Sequence, residues 1–98
     1  MITKDEIIEN RKVWLEALRS GKYKQCRYNL RNEDKFCCLG VAGEIFNLSW
    51  YDLIYKKLGL SKSQTGTLIF ANDHLEKPFE YIADMVEFDP IFAAGNQE

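Results

Sequence analysis

The residues of this 98-residue chain that could do nucleophilic or metal chemistry are three cysteines and a single histidine. Cys37 and Cys38 are adjacent, and His74 is the one histidine that could activate a thiol. Zinc-binding cysteines are usually separated by two to four residues, and adjacent residues on a strand point to opposite faces. We therefore expect no metal site and no catalytic residue, and cysteines that pack in the core. A redox or nucleophilic role for the pair stays as the alternative.

Charge placement is the feature of the sequence that most favours binding. Residues 11–31, the basic segment, contain seven basic residues and one acidic residue, whereas residues 72–98, the acidic segment, have a net charge of −6. Aromatic residues are interleaved with the basic ones. The guanidinium group of arginine binds phosphate through two parallel hydrogen bonds, and aromatic rings stack on nucleotide bases. This pattern predicts a site for a nucleotide or another phosphate-bearing ligand. The predicted ligand-binding residues are Arg19, Tyr23, Lys24, Gln25, Arg27, Tyr28, Arg31, Asn72 and Asp73.

The same residues allow plainer interpretations. The basic segment could face the acidic segment within the fold or across a homodimer. Asn72 and Asp73 could simply cap the turn that follows them or close the end of their helix. A helix-turn-helix reader of DNA sequence is not expected, because acidic side chains on the last helix would repel phosphates.

Length and composition indicate one globular domain over residues 1–98, with 46% hydrophobic residues and a net charge of −2. The apolar runs are far shorter than the roughly 20 residues that span a bilayer. The first residues turn acidic where a secretory leader would turn apolar. Three cysteines, two of them adjacent, do not fit a secreted disulfide framework. We therefore expect a cytoplasmic protein with reduced thiols and no membrane partner.

The N-terminal half is predicted to form a helix and a hairpin. Thr3 and Glu6 form a capping box for an amphipathic helix over residues 4–19, which Ser20-Gly21 ends. The apolar stripe of this helix consists of Ile7, Trp14 and Leu18, with Ile8 and Leu15 beside it. Two β-rich runs, residues 23–30 and 36–39, flank a polar turn at residues 31–35 and predict a hairpin.

The remainder of the chain is predicted to be helical. We expect a helix over residues 39–47, a second capped by Ser49, a third opened by a Ser61/Gln64 capping box, and a last one beginning at Pro78. The tail, residues 90–98, is expected to be loosely held, although Ile91 and Phe92 could dock. The resulting fold class is α+β: a helix-rich single domain with one short β-hairpin packed among four to five helices.

Several runs of the sequence resemble a family of small phage and prophage proteins. Those proteins share an opening Trp-x-x-Ala-Leu-Arg-Ser-Gly-x-Tyr-x-Gln, matched here by residues 14–25, and a Cys-Cys-Leu-Gly-Val centre, matched by residues 37–41. Their Asn-Asp and Phe-x-x-Ile-Ala-Asp motifs are similar to residues 72–73 and 79–84. Many relatives have a further cysteine where this chain has Gly43, which argues against a three-thiol mechanism. The resemblance implies a viral or prophage origin more than a particular reaction.

Three functions from different classes follow as hypotheses. In the first, the protein is a non-enzymatic anti-defence accessory that needs no cofactor and sequesters a phosphate-bearing ligand, such as a host immune signalling nucleotide. In the second, it directly inhibits a host protein. In the third, it is a small enzyme that depends on a thiol or on the histidine. Under the first we also expect a homo-oligomer, whose candidate contacts are Gly40, Gly43, Trp50, Tyr51 and Tyr55.

Overall fold

The computed structural model describes residues 2–93, which fold into the helix-rich α+β arrangement expected from the sequence. Their radius of gyration is 12.1 Å, close to the ~13 Å of a compact domain of about 100 residues. None of the described helices is both long and apolar enough to cross a membrane. In chain order the elements are α1 (Lys4–Arg19), β1 (Lys24–Gln25), β2 (Arg31–Asn32), β3 (Lys35–Phe36), α2 (Cys38–Phe46), α3 (Tyr51–Leu58), α4 (Lys62–Asp73), α5 (Phe79–Phe88) and a 3₁₀ turn (Pro90–Phe92).

Helix α1 has the predicted bounds, and its capping box is present. The indole nitrogen of the fully buried Trp14 donates a hydrogen bond to the Cys38 carbonyl at 2.8 Å, which joins α1 to α2. The predicted apolar stripe is buried. Of the residues beside it, Leu15 is buried but Ile8 is 50% exposed, and the charged Arg11 lies on the buried side of the helix.

The sheet has three short strands in the order β1-β3-β2, with β2 antiparallel and β1 parallel to β3. The prediction of a hairpin is confirmed, but its position is wrong. Its turn is at Glu33 and Asp34, so its first strand lies inside the run predicted as the turn. Residues 26–30 form an irregular loop, because Tyr28 has a left-handed backbone with φ of 70° and side chains of α4 bind this loop.

Two glycines of α2 allow other parts of the chain to approach closely. A Cβ at Gly40 would lie 1.8 Å from the Leu30 carbonyl oxygen, and one at Gly43 would lie 2.6 Å from that of Leu48. Both glycine faces are therefore covered by the chain itself, and the prediction that they contact another subunit is wrong. Trp50 is 73% exposed and stays a candidate contact.

The C-terminal helices lie close to their predicted positions. The Ser61/Gln64 capping box is present. Helix α3 begins after Trp50 rather than at a Ser49 cap, because the backbone at Trp50 is still extended. The predicted docking of Phe92 is confirmed, since its ring is fully buried, whereas Ile91 is exposed. The rest of the predicted loose tail, residues 94–98, lies outside the described residues.

Candidate functional site

A buried asparagine at the end of α4 connects three distant segments of the chain. The Oδ1 atom of the fully buried Asn72 accepts hydrogen bonds from Gln25 Nε2 at 2.8 Å and from the Cys38 amide at 3.2 Å. Its Nδ2 atom donates to the Cys26 carbonyl at 2.9 Å and to Asp73 Oδ1 at 2.8 Å. The amide group is therefore used on both its donor and its acceptor side, as a buried polar group requires.

The neighbouring Asp73 extends this network to the loop. Its Oδ1 atom accepts a hydrogen bond from the Tyr28 amide at 2.9 Å, and no basic side chain of the described residues lies within 4.0 Å of the carboxylate. A backbone N–H that donates to a carboxylate forms a charge-assisted, stronger hydrogen bond. We call Gln25, Asn72 and Asp73 the polar clamp.

The prediction that Asn72 and Asp73 act locally is wrong. Apart from the bond that joins them to each other, their side chains bind partners 34 to 47 residues away. The end of α4 is closed instead by backbone hydrogen bonds, from the amides of His74 and Leu75 to the Phe70 carbonyl. The two polar side chains thus determine the conformation of a separate loop.

The clamped loop presents an aromatic side chain to solvent. The Tyr28 side chain is 65% exposed, and its ring contacts the His74 ring edge-on at a centroid distance of 5.6 Å. His74 in turn contacts Phe70, itself 53% exposed, at 5.3 Å. We call Tyr28, Phe70 and His74 the Tyr28 surface.

The backbone at Tyr28 is strained. A positive φ is unusual for a bulky residue and costs of the order of 1–3 kcal/mol, so it persists only where the surroundings impose it. Here the hydrogen bond to Asp73 does so. A glycine would adopt this conformation without strain, so an aromatic residue in this place suggests a role for the ring.

The rim of the Tyr28 surface has a second left-handed residue. Glu76, with φ of 54°, forms an ion pair with Arg27 at 3.3 Å. This pair joins the loop of residues 26–30 to the turn that follows α4. Left-handed backbone conformations therefore occur both in the loop, at Tyr28, and in the turn after α4, at Glu76.

Comparison with known proteins identifies the family. Residues 4–57 match the model of a family described as Domain of unknown function (DUF8296). The chain belongs to this family. No curated protein and no solved structure matches the chain. The DUF8296 match includes Tyr28 and Gln25 but not Asn72 or Asp73, so the polar clamp joins the matched region to the helices that follow it.

The DUF8296 fold brings together five of the nine predicted ligand-binding residues and separates the other four. Those at or beside the Tyr28 surface are Gln25, Arg27, Tyr28, Asn72 and Asp73. The other four lie elsewhere. Arg19 forms ion pairs with Asp84 and Glu87, and Lys24 forms one with Asp34. Arg31 pairs with Glu44 and lies over the Phe36 ring, which Tyr23 contacts edge-on.

The interpretation that the basic segment faces the acidic segment within the fold is confirmed at two positions. Arg19 forms ion pairs with Asp84 at 2.7 Å and Glu87 at 2.5 Å, and Arg27 forms one with Glu76. Part of the opposite charge along this DUF8296 chain is therefore neutralised within one molecule.

Cys37 and Cys38 have the structural role predicted for them. Cys37 and Cys38 are buried, and burial raises the pKa of the Cys37 thiol to about 11 and that of the Cys38 thiol well above its usual value. The Cys37 sulfur accepts a hydrogen bond from the Gly40 amide at 3.3 Å and so caps α2. A nucleophile must be a thiolate, so these thiols are poorly suited to the enzyme hypothesis. Among the described residues no group of histidine, cysteine and acidic side chains is arranged to bind a metal ion.

Two members of the Tyr28 surface were not predicted as ligand-binding residues. Phe70 of α4 and His74, the residue that caps the C-terminal end of this helix, are four residues apart, so they lie on one side of it, away from the buried Leu68 and Asn72. This spacing was the available signal, because an aromatic pair off the apolar stripe of a helix indicates an exposed aromatic surface.

Proposed function

We propose that this protein is a non-enzymatic binding protein that docks on a protein partner through the Tyr28 surface. The observation that carries the proposal is the exposed Tyr28 ring on a left-handed backbone that Asp73 stabilises. A ring fixed in this way loses little conformational entropy on binding, which favours affinity. Tyrosine is also enriched among the residues that dominate binding energy at protein interfaces.

The surroundings of the ring favour a protein over a small molecule. The Tyr28 surface is formed by exposed rings, and the Arg27–Glu76 ion pair at its rim carries both signs of charge. An apolar centre with a polar rim is the usual anatomy of a protein interface. A phosphate-bearing ligand would instead require several unpaired cations, and Arg19, Lys24, Arg27 and Arg31 each contact a carboxylate.

The biological setting belongs to the same proposal. The resemblance to small phage and prophage proteins supports a host protein as the partner, whose activity in defence or elsewhere the bound protein would block. Three free cysteines support a reducing compartment, so we place the encounter in the host cytoplasm.

The experiment compares two exposed tyrosines. A photo-reactive phenylalanine analogue at position 28 captures the partner from host lysate, and the purified partner is then titrated with the wild type, Tyr28→Ala and Tyr81→Ala. Tyr81 is 46% exposed on α5 and serves as the matched control. Loss of a central interface tyrosine typically costs 2 kcal/mol or more, so we expect Tyr28→Ala to weaken binding at least about 30-fold.

The control defines the outcome that contradicts the proposal. Tyr81→Ala should bind within about threefold of the wild type. If both variants bind alike, or if only Tyr81→Ala loses affinity, the Tyr28 surface is not the docking site.

One observation favours a second candidate, the sequestration of a phosphate-bearing ligand beside Tyr28. Both partners of the Arg27–Glu76 ion pair are largely exposed, and exposed pairs contribute about 0–1 kcal/mol, so a phosphate could replace Glu76. Thermal unfolding with a panel of cyclic and linear nucleotides tests this. A ligand at about 100 times its Kd should add about 2.7 kcal/mol to the free energy of unfolding, and Arg27→Ala should abolish the effect. If no nucleotide raises the Tm, this candidate is rejected.

A further inference from the structure

A groove between α1 and α5 lies apart from the Tyr28 surface. Its volume is about 520 Å³, within the ~300–1,000 Å³ that is usual for small-molecule sites. Its apolar walls are formed by Ile8 and Leu15 of α1, Val86 of α5 and Phe92 of the 3₁₀ turn. Such walls suit an aliphatic or aromatic ligand body.

A buried arginine also lines this groove. Arg11 is 7% exposed, and its guanidinium donates hydrogen bonds to the carbonyls of Leu58 at 2.6 Å, Gly59 at 2.8 Å and Phe92. A guanidinium has five N–H donors. Two donors of Arg11 therefore have no acceptor among the described residues.

The charge of Arg11 is not neutralised by any acidic side chain in the described part of the chain. No carboxylate of the described residues lies within 4.0 Å of it, and its partners are all carbonyl groups. Burial without a counter-ion lowers the pKa of Arg11, because desolvation disfavours the charged form. A buried charge of this kind is costly unless an opposite charge accompanies it.

The other charged residues of the groove cancel one another. Arg19 is paired with Glu87, and α1 contributes one further cation, Lys12, and one further acid, Glu16. The remaining charge is the single positive charge of Arg11. A ligand with one negative charge would match it, whereas a phosphate dianion would leave one negative charge without a partner.

We propose that the α1–α5 groove binds a small organic anion that has one carboxylate and an apolar chain, as in a medium-chain fatty acid. The carboxylate binds the two remaining donors of Arg11, and the chain lies along Ile8, Leu15 and Val86. This ligand class satisfies both features of the groove, the uncompensated buried charge and the apolar walls. The site does not depend on the function proposed for the Tyr28 surface.

Calorimetric titration with octanoate, below its micellar concentration, tests the site, with 1-octanol as the neutral ligand of equal chain length. We expect saturable one-to-one binding of octanoate, and binding of octanol at least about tenfold weaker, a difference of about 1.4 kcal/mol. Equal affinity for the two ligands, or no saturable binding of octanoate, would overturn the proposal.

Two variants locate the ligand without altering Arg11, whose loss could unfold the chain. Ile8→Glu places a carboxylate in the wall of the groove and should weaken octanoate binding more than tenfold. Val13→Glu introduces the same charge at a 37% exposed position on α1 outside this groove and should leave binding within threefold. Equal losses in the two glutamate variants would refute the location.

Discussion

The two parts of the basic segment use different polar contacts. In its later part, the loop of residues 26–30, the backbone is bound by the buried side chains of Asn72 and Asp73, and Leu30 lies directly against Gly40. The earlier part lies on α1, which packs through buried apolar side chains, and its ion pairs with α5, those of Arg19, are exposed. The conformation of the loop thus depends on buried polar side chains, whereas the ion pairs of α1 are screened by water.

This difference indicates where the geometry of the candidate site originates. A buried hydrogen-bonding group left without its partner costs about 1–3 kcal/mol, whereas an exposed ion pair contributes about 0–1 kcal/mol. The Tyr28 surface should therefore depend on the polar clamp and on Gly40, and hardly at all on the charges of α1. Four measurements test this comparison.

The largest effect is expected at Gly40. In Gly40→Ala, the new methyl group would lie 1.8 Å from the Leu30 carbonyl oxygen, so the loop and α2 must separate. We expect the free energy of unfolding, measured in urea, to fall by about 4 kcal/mol. Gly66→Ala is the matched control, because a Cβ there meets no atom within 4 Å and should add about 0.5–1 kcal/mol. If the two variants are equally stable, the close approach does not exist.

The second largest effect is expected at the polar clamp. Asn72→Ala leaves the buried Cys38 amide without its acceptor and the Cys26 carbonyl without its donor. It also removes one of the two acceptors of Gln25 Nε2, which keeps its hydrogen bond to the Lys77 carbonyl. We expect a loss of about 3 kcal/mol in urea unfolding. In the control, Asn10→Ala removes a single bond to the Lys57 carbonyl and should cost about 1 kcal/mol. Equal losses would show that Asn72 is an ordinary hydrogen-bonding residue.

The sequence predicts those structural features that depend on residues close together in the chain. The start of α1 and that of α4 follow from capping boxes at Thr3 and Ser61, whose bonds join residues three apart. The position of the hairpin could not be predicted in the same way. The loop that displaces it is bound by side chains more than 40 residues away, and no local pattern contains such a contact.

The charge pattern correctly indicated that basic residues pair with acidic ones, but it did not indicate where each basic side chain lies. A count of charges treats residues 11–31 as one surface. In the fold, however, Arg11 lies in the interior, Arg19 pairs with α5 and Arg31 pairs with Glu44. For Arg11 a signal was available. It lies at helical spacing between Ile7 and Trp14, so it belongs to the buried stripe of α1. A charged residue on an apolar stripe should be treated as buried and its partners sought.

The third measurement concerns Cys37, which caps α2 next to the clamped loop. Its pKa is about 11 in the folded chain and about 9 when unfolded, so the unfolded state loses this proton first as the pH rises. The free energy of unfolding should therefore fall between about pH 9 and 11, by about 1.4 kcal/mol for each pKa unit. The stability difference between the wild type and Cys37→Ser, followed against pH, isolates this contribution from that of tyrosines and lysines. Parallel profiles would contradict it.

The smallest effect is expected at Arg19, the residue with the most ion-pair contacts to α5. Arg19→Ala removes both pairs, but Arg19 and its two partners are exposed to solvent, so we expect a loss of less than about 1 kcal/mol in urea unfolding, and a smaller one in high salt. A double-mutant cycle with Glu87→Ala measures the pair directly. The binding of a partner to the Tyr28 surface should be unchanged in Arg19→Ala. A loss above about 2 kcal/mol, or a weaker partner affinity, would mean that the charges of α1 help to shape the site, and the contrast between the two parts of the basic segment would then fail.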